Sequence, residues 1–302
     1  MKRQGFNSLE QQRTRWGWVF LAPWILGIAV FFIWPMIQTG IYSFSTLAVG
    51  GNGFETTFVG TSNYLHFFKD ALFLQKLATA LVETIPSTLL IITFSTMIAL
   101  LLRQEFPMRG LARAVFFMPV IIASGPVISI LQEQVMMGGS AVAGAAAETG
   151  ASYMFQAPDL TLVFADLGVP EKILESITTV INEIFDLMWK SGVQILLLLA
   201  ALNSIPTSFY EVAMMEGATA WEKFWKITLP TMSPTLVVVI IYTLIDCFTD
   251  YDNAIIRTMT DYYTNNHYSY SATVGIIYCV CVLAVVGLVS WILSRVVFYS
   301  AE

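Results

Sequence analysis

The sequence predicts an all-α membrane protein with six transmembrane helices, and three observations carry that prediction. Of its 302 residues, 56% are hydrophobic and only 12% charged, about half the charged share of a soluble domain. Six uncharged, mainly apolar windows follow one another: Trp16 to Ile41, Thr84 to Leu102, Ala114 to Gln132, Ser191 to Leu202, Ser233 to Ile245 and Ala272 to Ser294. Finally, the lysines and arginines gather on one side of those windows, as the positive-inside rule requires of cytoplasmic segments.

Length decides which windows span. A transmembrane helix needs about 20 mainly apolar residues, so four windows qualify as they stand. The fourth and fifth qualify by extending through Phe185–Lys190 and Asp246–Asp250. Six spans place both termini on the same side, with ten of the fifteen basic residues and six of the 21 acids. Both termini are therefore expected in the cytoplasm. The net charge of −6 comes from the other side and carries no sign of a nucleic-acid partner. Cys247, Cys279 and Cys281 fall in or beside spans, an odd set that gives no disulfide framework.

The first span follows Lys2, Arg3, Arg13 and Arg15 and lacks a small-x-small cleavage site at its end, so it is expected to stay as an anchor. Trp16, Trp18, Trp24 and Trp34 bracket it as interfacial aromatics do. An outer loop with turn signals at Gly50, Gly51 and Gly53 comes next. The short basic link Arg103, Arg109, Gly110, Arg113 makes spans two and three a tight antiparallel pair. The Gly/Ala-rich run Met137–Ser152 reads as a flexible outer linker. Beyond it, Ile173, Ile177, Val180, Ile181, Ile184 and Met188 recur at helical spacing. They predict an amphipathic outer helix running into span four, either lying on the membrane surface or bundle or offering a docking face.

The segment from Ser204 to Pro230 is the one long amphipathic stretch on the basic side. Ser208-Phe-Tyr-Glu211 fits a capping box, and Thr219-Ala-Trp-Glu222 fits a second. Gly217 between them is the residue expected at a left-handed helix end, and Pro230 is expected to stop the second helix near Thr228. Two short helices cannot bury Phe209, Tyr210, Val212, Met214, Met215, Trp221, Phe224 and Trp225 together. What remains exposed signals a partner. Glu211 is left with two readings, a cap for its own helix or a partner contact.

These residues resemble a known family. Glu211-x-Ala213-x-x-x-Gly217, nine residues, then Ile227-x-Leu229-Pro230 is similar to the EAA loop of binding-protein-dependent ABC importer permeases, with Val212 where alanine is usual. The flanks Leu199–Pro206 and Pro234 fit too. So do Leu21-Ala22-Pro23-Trp24, Phe58-Val59-Gly60-x-x-Asn63-Tyr64, and Arg109-Gly110 with Phe117-x-Pro119, as in the sugar-permease branch. The resemblance implies a type I ABC importer permease fold. Residues 1–77 would form the N-terminal tail, first helix and outer loop. Residues 78–298 would form a five-helix core with an outer insertion at 136–188 and a coupling loop at 204–230. It further implies a non-enzymatic subunit of a bacterial inner or plasma membrane, paired with a second permease, two cytoplasmic ATPases carrying ATP and magnesium, and an extracytoplasmic solute-binding protein. Consistently, no Lys follows a Gly anywhere, so the chain has no GxxxxGK[ST] phosphate loop.

Ionisable residues inside spans are candidates for the translocation path. Asp246 and Asp250 are four apart near the outer end of span five, and Tyr242 and Asn253 are expected to extend their face. Trp189, Lys190 and Gln194 mark the outer part of span four. Carboxylates, amides and aromatic faces suit a carbohydrate. A polyol phosphate is the alternative cargo, and an ion-coupled transporter with Asp246, Asp250 and Glu83 as relay is the alternative mechanism. His66 and His267, read as outer-loop residues, lack the spacing of a metal-dependent membrane enzyme. The Ile255–Asn266 segment, which has neither glycine nor proline, departs from the family's pattern and reads as an atypical outer loop.

Overall fold

The computed structural model describes residues 6–50, 53–104, 107–122, 171–250 and 253–296. Two compact units divide it: Met1–Val82 with Phe248–Val285, and Glu83–Cys247 with Val286–Glu302. Nearly all of the described chain is helical. Four helical stretches are long and apolar enough to cross a membrane, and a bent pair makes a fifth. The third predicted span is described only as far as Ile122, and the Met137–Ser152 linker lies outside the described residues.

In the first unit, α1 (Phe6–Ile28) passes through a π-turn (Ala29–Ile33) into α2 (Trp34–Ser43). From Trp16 to Ile37 almost every apolar side chain is exposed, as expected of a helix clad by lipid or by another subunit. The expected outer loop is instead an antiparallel hairpin, β1 (Ser45–Gly50) with β2 (Gly53–Phe58), in register from Ser45–Phe58 to Gly50–Gly53. The glycines do mark its turn. The strands escape notice because only Thr, Leu, Val and Phe carry their pattern.

Polar side chains pin the hairpin's base. On α3 (Ser62–Lys69), Asn63 donates from Nδ2 to the carbonyls of Ser43 and Ser45 at 2.9 and 3.2 Å. The Leu47 amide donates to Ser269 Oγ at 2.8 Å. Phe67, fully buried, packs on Phe73, Tyr262 and Tyr270. His66 therefore sits on a helix rather than in a loop, stacked on Tyr270 at 5.4 Å.

The second unit is built on α4 (Ala71–Arg103, from Glu83), α5 (Arg109–Ile122), α6 (Glu171–Lys190), α7 (Gly192–Ser204) and α10 (Leu229–Thr249, to Cys247). Its core joins Ala99 and Leu102 of α4 to Ile195, Leu198, Leu199 and Leu202 of α7 and Met232 and Val239 of α10. Span four is not continuous as expected. It bends by 54° between Ser176–Lys190 and Gly192–Ser204. Ser191 at the break has φ −91° and ψ −3°, and its Oγ donates to the Met188 carbonyl at 3.1 Å. A Ser-Gly pair is a recognised site of helix kinking, and apolar composition hides it.

Two prolines share one device. Pro35 and Pro230 each stand two residues beyond a five-residue π-turn, Ala29–Ile33 and Phe224–Thr228. A proline ring clashes with the carbonyl four residues back, which here is Phe31 or Lys226, inside the π-turn. The widened turn reroutes the bonds, so that Trp34 N–H reaches the Ala29 carbonyl and Leu229 N–H the Phe224 carbonyl. Pro230 thus fails to stop its helix, contrary to expectation. The chain runs from α9 (Ala220–Lys223) through the π-turn into α10 without a break.

Candidate functional site

The segment between spans four and five begins at Pro206, whose extended backbone (φ −58°, ψ 136°) forms the N-cap of α8 (Thr207–Met215). No side chain caps that helix, so the Ser208 capping box is not made. The helix starts two residues earlier than the box requires, because Pro206 holds the extended conformation of a cap. Glu211 therefore lies past the first turn. It is exposed, and its side chain makes no hydrogen bond or ion pair among the described residues. Its capping reading falls away.

The end of α8 is a Schellman motif. Gly217 takes φ +78°, its N–H reaches the Met214 carbonyl at 3.1 Å, and the Ala218 N–H reaches the Ala213 carbonyl at 2.9 Å. A left-handed residue at this position suits glycine. The second capping box is present in full. Thr219 Oγ1 accepts from the Glu222 amide, and Glu222 Oε2 accepts from the Thr219 amide at 3.0 Å. Lys226 Nζ adds an ion pair to Glu222 at 3.2 Å. The Thr219 backbone amide first, then the Thr219 hydroxyl and Lys226, hold the Glu222 carboxyl below its ordinary pKa.

The two helices present their apolar side chains outward. Met215 is 90% exposed and Trp221 70%, and Phe209, Val212, Met214 and Trp225 are also exposed. Ala213 alone of α8 is buried. Ile227, Leu229 and Pro230 are half-buried at the return into α10. Below the pair, Arg103 donates to the Tyr210 hydroxyl at 2.8 Å, which lies 2.9 Å from Thr228 Oγ1. The result is a braced helix–bend–helix with an uncovered apolar surface.

The candidate path residues form no such constellation. Trp189 stacks on Phe185, and Lys190 pairs with Asp186 at 3.0 Å. Just past the break in span four, Gln194 is fully buried. Neither amide atom finds a partner among the described residues. Tyr242 and Asp246 lie one turn apart on α10. That helix ends at Thr249, so Asp250 lies beyond it and the expected continuous face stops there. Asn253 is not on that face. It caps α11 (Ala254–Thr264), accepting from the Ile255 amide and donating to the Tyr278 hydroxyl at 2.9 Å. The expected outer loop at Ile255–Asn266 is this helix, ended by Asn266 at φ 62° where glycine is lacking.

The family model described as "Binding-protein-dependent transport system inner membrane component" matches residues 187–298, which include the loop. Over 245 residues the chain is 31% identical to the multiple sugar-binding transport system permease protein MsmF of Streptococcus mutans, covering 78% of this chain and 76% of that one. The chain belongs to this permease family. The permease is also 29% identical to the sn-glycerol-3-phosphate transport system permease protein UgpA of Shigella flexneri, over 80% of this chain and 78% of UgpA. Its fold matches a solved bacterial alginate ABC transporter in complex with an alginate pentasaccharide-bound periplasmic protein. That match has a TM-score of 0.65 at 18% identity and covers 95% and 96% of the two chains. The permease is thus a multi-pass membrane protein and a transport subunit.

Proposed function

We propose that this permease forms part of the path by which an ATP-driven importer carries a carbohydrate, handed over by a solute-binding protein, across a bacterial inner or plasma membrane. Both termini and the 204–230 loop face the cytoplasm. A second permease subunit completes the path, and two ATPase subunits, which hold ATP and magnesium, power it. The observation that carries this reading is the helix pair bent at Gly217, braced from beneath and uncovered above. A socket on an ATPase would cover Met215 and Trp221 and leave Glu211 free to meet a polar group there. Ala213, Gly217, Ile227, Leu229 and Pro230 fix the shape of the pair rather than touch the partner. Movement of the socket would then act on spans four and five, to which the pair is joined at both ends.

The candidate path residues Trp189, Lys190, Gln194, Tyr242, Asp246 and Asp250 suit hydroxyl-rich cargo. Asn253, engaged as a helix cap, does not belong with them. Similarity to MsmF favours a sugar, and similarity to UgpA supports a phosphorylated polyol as the second reading. Uptake by vesicles containing the complete importer and its binding protein tests both. The expected result is ATP-dependent uptake of a sugar that stops when residues 207–226 are deleted. Uptake that survives the deletion, or that a proton or sodium gradient drives without ATP, would overturn the proposal. Uptake of a phosphorylated polyol alone would select the second reading.

A further inference from the structure

Beneath the helix pair, a cavity of about 820 Å³ opens where α4 ends. Its wall is charged in one sense only. Arg103 of α4 and Lys223 of α9 line it, with no acidic residue among the described residues of its lining. Arg103 is held by a neutral partner, Tyr210, through a hydrogen bond and by lying 4.6 Å over the ring. That contact positions the guanidinium, which has no ion pair among the described residues. Lys223 has no ion pair among the described residues, whereas Lys226, outside the cavity, is paired with Glu222. Leu100, Trp221 and Phe224 supply an apolar wall.

This combination selects a class of ligand. Two cations with no ion pair among the described residues suit a phosphate monoanion or diester. The volume and the apolar wall exceed what a free phosphate needs and match a headgroup with the first carbons of its chains. The cavity also lies at the membrane boundary, since Leu100 belongs to the apolar run of α4 and Arg103 is its last residue. We propose that it binds an anionic phospholipid of the inner leaflet, with the phosphate between Arg103 and Lys223 and the chains along Leu100 and Phe224. Basic pockets at the cytoplasmic ends of spans bind such headgroups. The inference rests on the cytoplasmic placement of the loop proposed above. It makes the bracing of the helix pair dependent on lipid composition.

The test uses the full-length chain, stripped of lipid in detergent and offered phosphatidylglycerol or phosphatidylcholine, with retained lipid read by native mass spectrometry. One phosphatidylglycerol per chain should be retained in preference to phosphatidylcholine. Lys223→Gln should weaken retention about fivefold, the worth of one cation near a membrane surface. Arg103→Gln should do the same, and Lys226→Gln should change nothing. The Lys223 side chain makes no hydrogen bond or ion pair among the described residues, so its variant keeps the test sound if Arg103→Gln misfolds. Equal retention of the two lipids, an unchanged Lys223→Gln, an equal loss in Lys226→Gln, or displacement of the lipid by millimolar inorganic phosphate would each overturn the proposal. Retention is measured without ATPases, so its failure is distinct from failure of the uptake experiment.

Discussion

Arg103 and Tyr210, 107 residues apart in sequence, form the brace between the end of α4 and the helix pair, with Nη1 2.8 Å from the hydroxyl and the guanidinium 4.6 Å from the ring centroid. Arginine can only donate, so the Tyr210 oxygen accepts and its proton goes to Thr228 Oγ1 at 2.9 Å. Thr228 in turn donates to the Lys223 carbonyl at 3.3 Å, beside the π-turn. Each hydroxyl proton is used once, which orients the whole chain.

Removing one atom from that chain should be felt at both ends. Tyr210→Phe keeps the ring beneath Arg103 and deletes the hydroxyl, at a cost of about 1 kcal/mol for one lost hydrogen bond. Amide exchange across residues 207–228 should speed up while α7 stays protected. Unchanged exchange in that segment would mean that the brace does not hold the pair.

Gly217 can be tested in isolation because nothing lies within 4 Å of a Cβ built on it. Any penalty for a side chain there is backbone strain alone. Gly217→Ala should cost about 1 kcal/mol and Gly217→Val more, since β-branched residues are least tolerated at positive φ. Gly217→Asn should cost least. Thermal unfolding of the purified chain should rank the variants Gly, Asn, Ala, Val. Uptake per ATP hydrolysed should fall in the same order, with the protein still in the membrane.

The second capping box makes a pH prediction. The Glu222 pKa is lowered in the fold, so its contribution to the helix is present above the unfolded value near the ordinary 4.5 and is lost as pH falls through the lower, folded value. Thr219→Ala removes the hydroxyl that bonds both the Glu222 amide and its carboxylate. It should cost about 1 kcal/mol of helix stability and move the Glu222 titration upward, as read by carboxyl NMR on glutamate-labelled protein. A titration that does not move would show that the Thr219 hydroxyl has no part in the shift.

Much of this was legible in the sequence wherever one local rule acted alone. The apolar runs gave the first, second, fifth and sixth spans, and glycine between two polar helix starts gave the bend at Gly217. The rest depended on competition between rules. At Pro206 the fixed backbone of proline took the cap from Ser208. At Pro230 the ring shifted the preceding turn to π geometry instead of ending the helix. Asn253 passes for a path residue when its polarity is followed along a helix, yet the helix has already ended at Thr249. The break at Ser191 left no trace in hydropathy, since both arms are apolar enough to belong to one span.

Gln194 sits just past that break, on the second arm, and offers the sharpest separation of stability from transport. It is 0% exposed, and its Oε1 and Nε2 lack partners among the described residues. A buried amide left unsatisfied costs about 1–3 kcal/mol. A residue of similar volume without the amide should recover part of that, so Gln194→Met should raise the thermal midpoint. Gln194→Ala should lower it by opening a buried cavity. If the amide is kept for cargo, the more stable Met variant should transport worse, with the solute concentration for half-maximal uptake raised and ATPase activity intact. A variant that is both more stable and fully active would remove Gln194 from the path and leave its buried amide a packing cost alone. Measuring midpoint and uptake on the same preparation decides between the two, because a purely structural role moves them in the same direction and a cargo role moves them apart.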